Sequence, residues 1–389
     1  MIEIAASLTK DDGLVLGELG SVLIGLGIAA LLATRIRLSV VPIFLLAGLF
    51  FGEGGIVALE LSDDFLDLGA QWGAILLLLL LGLEYSAQEL FDSVKARRSL
   101  GIIDVLLNFT PGFVIGLVLG WGVPGALALG GITYVSSSGI ASQFIKDSRL
   151  EGNESTKRAV SVLVIEDLVL APYLPVLSAV LAALGIVSGL ISVSIALIIT
   201  GIALLVGARG IHIPHAPLIM GDSSTLLLTV FGSALAASGV ATYFGFSGAV
   251  AAFLVGLLLT GDVAVVARVR LAPLRDIFAA IFFLFFGLST DPANIPQVLI
   301  PAVLLTFLGV ASKYLTAMWA VKDLSEPQAK WRAAALLIPR GEFSIVIAGL
   351  AAASTYAVEI QALTLTYVIL TTLVSSLIIR QVSSDRQAF

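Results

Sequence analysis

Five charged residues stand in segments otherwise too apolar for water. Glu166 and Asp167 lie side by side in VLVIEDLVLAP, Lys313 in GVASKYLTAMW, and Arg340 and Glu342 in LIPRGEFSIVI. On insertion scales a charge at the bilayer centre costs about 2.5–3.5 kcal/mol, and each neighbouring Leu, Ile or Val returns only about 0.3–0.6 kcal/mol. Two adjacent acids therefore cancel much of the apolar gain of their helix, so charges at this depth point to pairing or function. Here two basic groups face three acids. Opposite charges nearby favour ionised forms, whereas desolvation favours a neutral carboxyl. A carboxylate released from such a pairing can hold either a bare monovalent cation or a proton, which is the chemistry of exchanging one for the other. Neighbours on a helix project about 100° apart. One acid can then face an ion path, and the other a partner such as Arg340.

The elements that carry these residues must lie in a membrane. Of 389 residues, 58% are hydrophobic and 12% charged, and the mean hydropathy is +1.07. A soluble domain carries about 25% charged residues. The chain has no cysteine, and both histidines, His212 and His215, fall in one short loop, so no thiolate or histidine metal centre and no cofactor is expected. No phosphate-binding loop and no basic nucleic-acid patch occurs, so neither nucleotide chemistry within the chain nor a nucleic-acid partner is expected; membrane lipid is. The first 13 residues hold Glu3, Asp11 and Asp12 against one lysine, unlike a signal peptide.

Hydropathy predicts an all-α polytopic protein with thirteen spans, near 14–34, 38–53, 67–86, 99–121, 124–145, 157–183, 186–208, 222–240, 243–261, 274–290, 295–320, 330–354 and 358–380. Odd parity puts the termini on opposite sides. With the N-terminus outside, eighteen of the 21 basic residues fall on the inner side, leaving Lys10 outside and Lys313 and Arg340 within spans. Loop 54–66 is acidic, with Glu60, Asp63 and Asp64. The positive-inside rule thus predicts a multi-pass plasma-membrane protein, N-terminus out and C-terminus in. About nine residues follow the last span, so no soluble regulatory domain is expected. Asp104, near the inner end of span 4, and Glu84, at the end of span 3, read as solvated boundary residues, and Lys313 lies more than a turn from the nearer end of its span, too deep for simple snorkelling.

The second half echoes the first. FLLAGL at 44–49 resembles FLVGLL at 253–258, and LLLLLGLEYS at 77–86 resembles FLFFGLSTD at 283–291. Matching Gly48 to Gly256 and Gly82 to Gly287 gives offsets of 208 and 205 residues, or seven spans. Apolar segments match by chance easily; read as a true repeat, an odd offset inverts the second copy, as in secondary transporters. The repeat pairs span 5, with ITYVSSSGIAS at 132–142, and span 12, with Pro339 and Gly341 inside an apolar helix. Small residues alone also suit close helix packing. Interrupted spans at corresponding positions of two halves are the stronger pointer to a midplane site.

The segments GLEYS, SSSGIAS, VIEDLVLAPYLPV, FFLFFGLSTD, ASKYLTAMW and PRGEFSIVI together resemble the cation:proton antiporter 2 family over essentially the whole chain, and most resemble potassium/proton antiporters of the Kef and Kht type. The adjacent Glu-Asp is similar to the Kht type, where Kef proteins have Gln-Asp and some sodium/proton members Asp-Asp. The resemblance implies an NhaA/NapA-like fold with two broken crossing helices, a homodimer, and an elevator motion. Scaffold helices would be about 14–86 and 222–290, the linker about 186–208, and the core about 99–183 and 295–380. By position, Asp167 with Glu166 would bind ion and proton. Lys313 would be the ion-pair partner of Asp167, with Arg340 and Glu342 as further charge compensation. Thr133, Ser136, Ser137 and Ser138 would form the unwound crossover. Kef proteins continue into a cytoplasmic nucleotide-binding domain, whereas Kht systems use a separate regulatory subunit, so a cytoplasmic partner that binds nucleotide is expected here.

The expected function is potassium/proton antiport, with sodium/proton exchange as the alternative. A channel or sensor fits less well, for the sequence shows neither a carbonyl filter nor a charged ring. An intramembrane hydrolase, or any enzyme, is not expected, because no histidine in the membrane could activate the serines.

Overall fold

A computed structural model describes residues 10–35, 39–52, 54–55, 63–84, 98–182, 191, 193–195, 197–202, 205, 223–244, 246–259, 261–326 and 328–384. The linker helix expected at 186–208, the two histidines and much of the basic and acidic loops lie wholly or largely outside them. Among the described residues there is no strand.

Among the described residues these α-helices follow one another: α1 (Lys10–Arg35), α2 (Val40–Phe51), α3 (Asp63–Glu84), α4 (Arg98–Val118), α5 (Gly122–Tyr134), α6 (Ser138–Asp147), α7 (Glu154–Leu181), α8 (Ser223–Tyr243), α9 (Gly248–Leu258), α10 (Gly261–Leu288), α11 (Ile295–Ala320), α12 (Ala329–Leu337), α13 (Glu342–Leu350) and α14 (Ala357–Ser384). By length and composition, seven helical segments among the described residues can cross a membrane, counting Ala329–Leu350 as one. The segment expected at 274–290 starts earlier, at Gly261. Charge ends a hydropathy window, but arginine is a good helix former, and the helix continues through Arg268 and Arg270. The spans expected at 124–145 and 330–354 are each two helices, α5 with α6 and α12 with α13.

Short polar side chains start the helices. Ser39 caps α2, Ser137 caps α6, Asn153 caps α7 and Ser247 caps α9, each accepting from a backbone N–H of the first turn.

The helices pack in two groups. Helices α1–α3 and α8–α10 contact mainly one another, with an apolar interior that includes Leu76, Leu79, Leu80, Val230, Ala252 and Leu271. Helices α4–α7 and α11–α14 form the other group, with α4 against α5 and α11, and α11 against α14.

Glycine contacts in the first group carry the internal symmetry. A methyl group on Gly48 would overlap the Leu284 carbonyl, and one on Gly256 would overlap that of Leu79. Likewise Gly287 rests on the Leu45 carbonyl and Gly82 on that of Phe253. Shifting each partner by the sequence offsets of 208 or 205 turns one contact of each couple into the other. A two-fold relation between halves requires such reciprocal contacts, and chance similarity of apolar segments does not produce them.

Candidate functional site

Two interruptions meet in the second group. Residues 135–137 separate α5 from α6, and residues 338–341 separate α12 from α13. Proline at 339 has no N–H to continue a helix, and its carbonyl instead accepts from the Ser137 N–H at 2.8 Å. The expected crossover is narrower than the SSSG stretch suggested. Ser136 and Ser137 lie in the non-helical segment, whereas Thr133 belongs to the last turn of α5 and Ser138 opens α6. Helix α5 packs on α13 and α12 on α6, so helix ends of like polarity converge at the breaks.

Arg340 answers the carbonyl ends. It is completely buried. Its Nη2 and Nε donate to Thr133 O at 2.7 and 3.1 Å, and its Nη1 donates to Leu337 O and Ile338 O, both at 2.9 Å. One guanidinium therefore serves the C-terminal ends of both α5 and α12, where the helix dipoles leave partial negative charge. This corrects the expectation that Arg340 pairs with one of the acids of α7: backbone carbonyls already occupy its fork. Glu342 stands at the opposite kind of end. As first residue of α13 it is favourably placed by the dipole, and its Oε2 accepts from Ser137 Oγ at 2.8 Å.

Glu166 and Asp167 diverge as neighbours on a helix must. Glu166, 0% exposed, accepts from the Ser136 N–H at 2.5 Å and from Lys313 Nζ at 2.9 Å. Ser136 Oγ lies 3.1 Å from Glu166 Oε1 and 2.6 Å from Leu337 O, so its one hydrogen can serve either. Asp167, 2% exposed, accepts from Ser138 Oγ at 3.0 Å. It thus sits beside the N-terminal end of α6, where backbone donors favour negative charge.

Lys313 forms ion pairs with Glu166 Oε1 at 2.9 Å and with Asp104 Oδ1 at 3.1 Å. Helix α11 approaches α7 from the side of α4, so its lysine meets the acid projecting that way. Asp104 is likewise corrected. It is no solvated boundary residue but 0% exposed, accepting also from Asn108 Nδ2 at 2.8 Å and Thr316 Oγ1 at 3.0 Å. Ser312 Oγ in turn donates to Asn108 Oδ1 at 2.7 Å. Asn108, Ser312 and Thr316 were not singled out in the sequence. The signal was a polar pair one helical turn apart on each of two spans, 104 with 108 and 312 with 316. Glu84, by contrast, is exposed at the end of α3.

The whole constellation can hold one small cation or a proton at a buried carboxylate beside a helix N-terminus, with fixed positive charge close by. It brings together Asp167, Glu166, Lys313, Arg340, Glu342 and the three serines. Among the described residues no cluster of His, Cys, Asp and Glu suits a resident metal ion.

Known proteins share this arrangement of chain. The family model described as sodium/hydrogen exchanger, transmembrane, matches residues 21–384. The K(+)/H(+) antiporter subunit KhtU of Bacillus subtilis is 28% identical over 381 residues, covering 94% of this chain and 92% of that one. The ammonium/H(+) antiporter subunit AmhT of Alkalihalophilus pseudofirmus is 28% identical over 352 residues, 86% of each chain. The solved sodium proton antiporter MjNhaP1 of Methanocaldococcus jannaschii has the same fold, with a TM-score of 0.67 over 94% of this chain and 95% of that one, at 21% identity. With a family match that spans nearly the entire chain, the protein belongs to the sodium/hydrogen exchanger family, in its cation:proton antiporter 2 group, and is a multi-pass membrane cation/proton antiporter.

Proposed function

We propose that this protein exchanges potassium for protons, with Asp167 as the shared site. One observation carries the reading: a buried carboxylate stands at the meeting point of two broken helices, touched by the hydroxyl of Ser138. A cation there replaces its water with carboxylate and hydroxyl oxygens, and a proton arriving from the other side displaces it. Glu166, held by Lys313 and the Ser136 N–H, supports the neighbouring backbone rather than taking the ion. Potassium is preferred over sodium because one relative is named as a potassium/proton antiporter subunit and another as an ammonium/proton antiporter subunit, and these two cations are of similar size.

Helices α4–α7 and α11–α14 would move as the core of an elevator against α1–α3 and α8–α10, which would form the scaffold and the homodimer contact. The chain would lie in the plasma membrane with its N-terminus outside. Both relatives are named as subunits, which supports a separate partner; that partner would be cytoplasmic and bind nucleotide.

The test is dequenching of a pH-sensitive dye in proteoliposomes on addition of potassium, ammonium or sodium. Potassium should move protons at the lowest concentration. Inertness to all three would end the reading, and a preference for sodium would replace potassium by the alternative named above.

A further inference from the structure

A cavity of about 1010 Å³ lies between the two helix groups. Trp72 of α3, Phe246, and Phe282 and Phe286 of α10 wall it on one side, and Val346 and Leu350 of α13 on the other. Gln71, Ser289 and Gln361 add polar groups, and among the described residues that line it none is charged. Mainly apolar pockets with a few polar groups, set between packed units, are where small molecules bind, in volumes of about 300–1,000 Å³. The lack of charge selects the class of occupant. An ion would lose its water there without a compensating partner, so the cavity suits an uncharged molecule and is no resting place for the transported cation. Tyr243, Gly248, Ser289, Leu350 and Ala357 place one end of it where α8, α10 and α13 stop and α9 and α14 begin. Tyr243 and Phe244 are exposed at this end, as aromatic rings are at the boundary between hydrocarbon and water. Molecules with an apolar body and a polar head gather at that depth.

Two hydrogen bonds join the groups beside the cavity. The Ser247 N–H donates to Ser178 Oγ at 3.2 Å, and Gln361 Nε2 donates to Ser289 Oγ at 2.7 Å. Ser247, Ser289 and Gln361 all line the cavity. Its walls thus belong to both groups, and any displacement of one against the other changes its shape. We propose that this cavity binds an uncharged single-chain amphiphile, with its alkyl body against Trp72 and the phenylalanines and a hydroxyl head toward Ser289 and Gln361. The bound molecule then holds the two groups in the relative position seen here. The binding rests on the cavity alone, whereas the holding rests on the elevator motion proposed above.

The probe is undecanol brominated at its chain end, because bromine quenches tryptophan on contact. Trp72 is packed on Phe231 and Phe278, with ring centroids 5.8 and 5.5 Å away, and its emission is the difference between wild type and Trp72→Phe. In proteoliposomes the quenching of Trp72 should saturate with probe. Over the same range the maximal rate of cation-driven proton movement should fall at least about fivefold, with the cation KM within about twofold. Gly239 of α8 and Gly349 of α13 line the cavity and have open space where a Cβ would stand, so a leucine at either position takes up room in it. Gly239→Leu and Gly349→Leu should each raise the probe concentration for half-quenching about tenfold and weaken the inhibition in parallel. Quenching that never saturates, or that neither leucine variant weakens, is partition into the bilayer and overturns the site. Inhibition that raises KM and spares the maximal rate puts the probe at the cation site and overturns it as well. Saturable quenching with an unchanged rate overturns the holding. If one leucine variant does not fold, the other decides by the same criterion. Failure of the cation to move protons without any probe refutes the exchange reading itself, while the quenching still reports on the cavity.

Discussion

The two helix groups share one packing device and differ in what they bury. Glycine rests on a backbone carbonyl between α2 and α10 and between α3 and α9, as Gly112 of α4 does on Leu129 of α5 in the other group, but among the described residues of α1–α3 and α8–α10 no charged side chain is fully buried. In α4–α7 with α11–α14 lie all six buried charged residues of the described chain: Asp104, Glu166, Asp167, Lys313, Arg332 and Arg340. Without a hydrophobic force between helices in lipid, close backbone packing is the cheapest route to a rigid body, and small residues provide it. Charges in such a place are expensive, and are retained where something must be bound or moved. The costly charges therefore mark the second group as the one that carries the chemistry.

Substitutions can break this contrast at four points. The largest effect belongs to Asp167→Asn, which keeps the shape and removes the charge. A bare cation loses its main ligand and no proton can be traded, so exchange in proteoliposomes should fall at least about a hundredfold, as when a charged partner worth about 1.5–3 kcal/mol is lost from both half-reactions. The folded protein should remain on size-exclusion chromatography. If Asp167→Asn exchanges normally while Glu166→Gln is dead, the two acids have been assigned the wrong way round.

Next comes Lys313→Met, which strands Glu166 and Asp104 as uncompensated buried acids. Removing one partner of a buried ion pair costs about 3–5 kcal/mol, visible as a large drop in thermal unfolding temperature in detergent. Adding Asp104→Asn to that variant should recover part of the loss, since one stranded charge disappears. A double variant no more stable than the single would mean that Asp104 is not part of the same charge cluster.

Gly48→Ala and Gly256→Ala probe the other group. Each methyl group collides with a carbonyl oxygen, Leu284 in one case and Leu79 in the other, and overpacking costs typically about 1–3 kcal/mol. The internal two-fold requires the two losses to be of similar size, measured by thermal unfolding, and the KM for the cation to be unmoved. Unequal losses would weaken the structural equivalence of the halves. The smallest effect is expected for Glu166→Gln. The amide still accepts from the Ser136 N–H, and Lys313 keeps Asp104, so the cation KM should change by only about two- to fivefold, less than a full charge-assisted hydrogen bond is worth.

What could be read before any tertiary contact was known follows from solvent and chain geometry. Twenty apolar residues in a row have one stable place, and charges within them stand out because their insertion is costly. That logic marked Glu166, Asp167, Lys313, Arg340 and Glu342, and it marked the breaks at SSSG and PRGEF, since proline and glycine act on their own backbone. Even the repeat was legible, because Gly48 and Gly256 match at an offset of 208 residues and Gly82 and Gly287 at a similar one of 205. Partner choice was not legible. That Lys313 meets Glu166 and Asp104 depends on the side from which α11 reaches α7, and a one-residue step on a helix is a turn of about 100°. Asp104 looked solvated because it lies near a span end, and only the packing of α4 against α11 encloses it. Arg340 likewise revealed its charge in the sequence but not its task. Its partners are carbonyls of Thr133, Leu337 and Ile338, and every residue has a carbonyl. Local cost is written residue by residue along the chain; which group relieves that cost is a property of how distant helices come together.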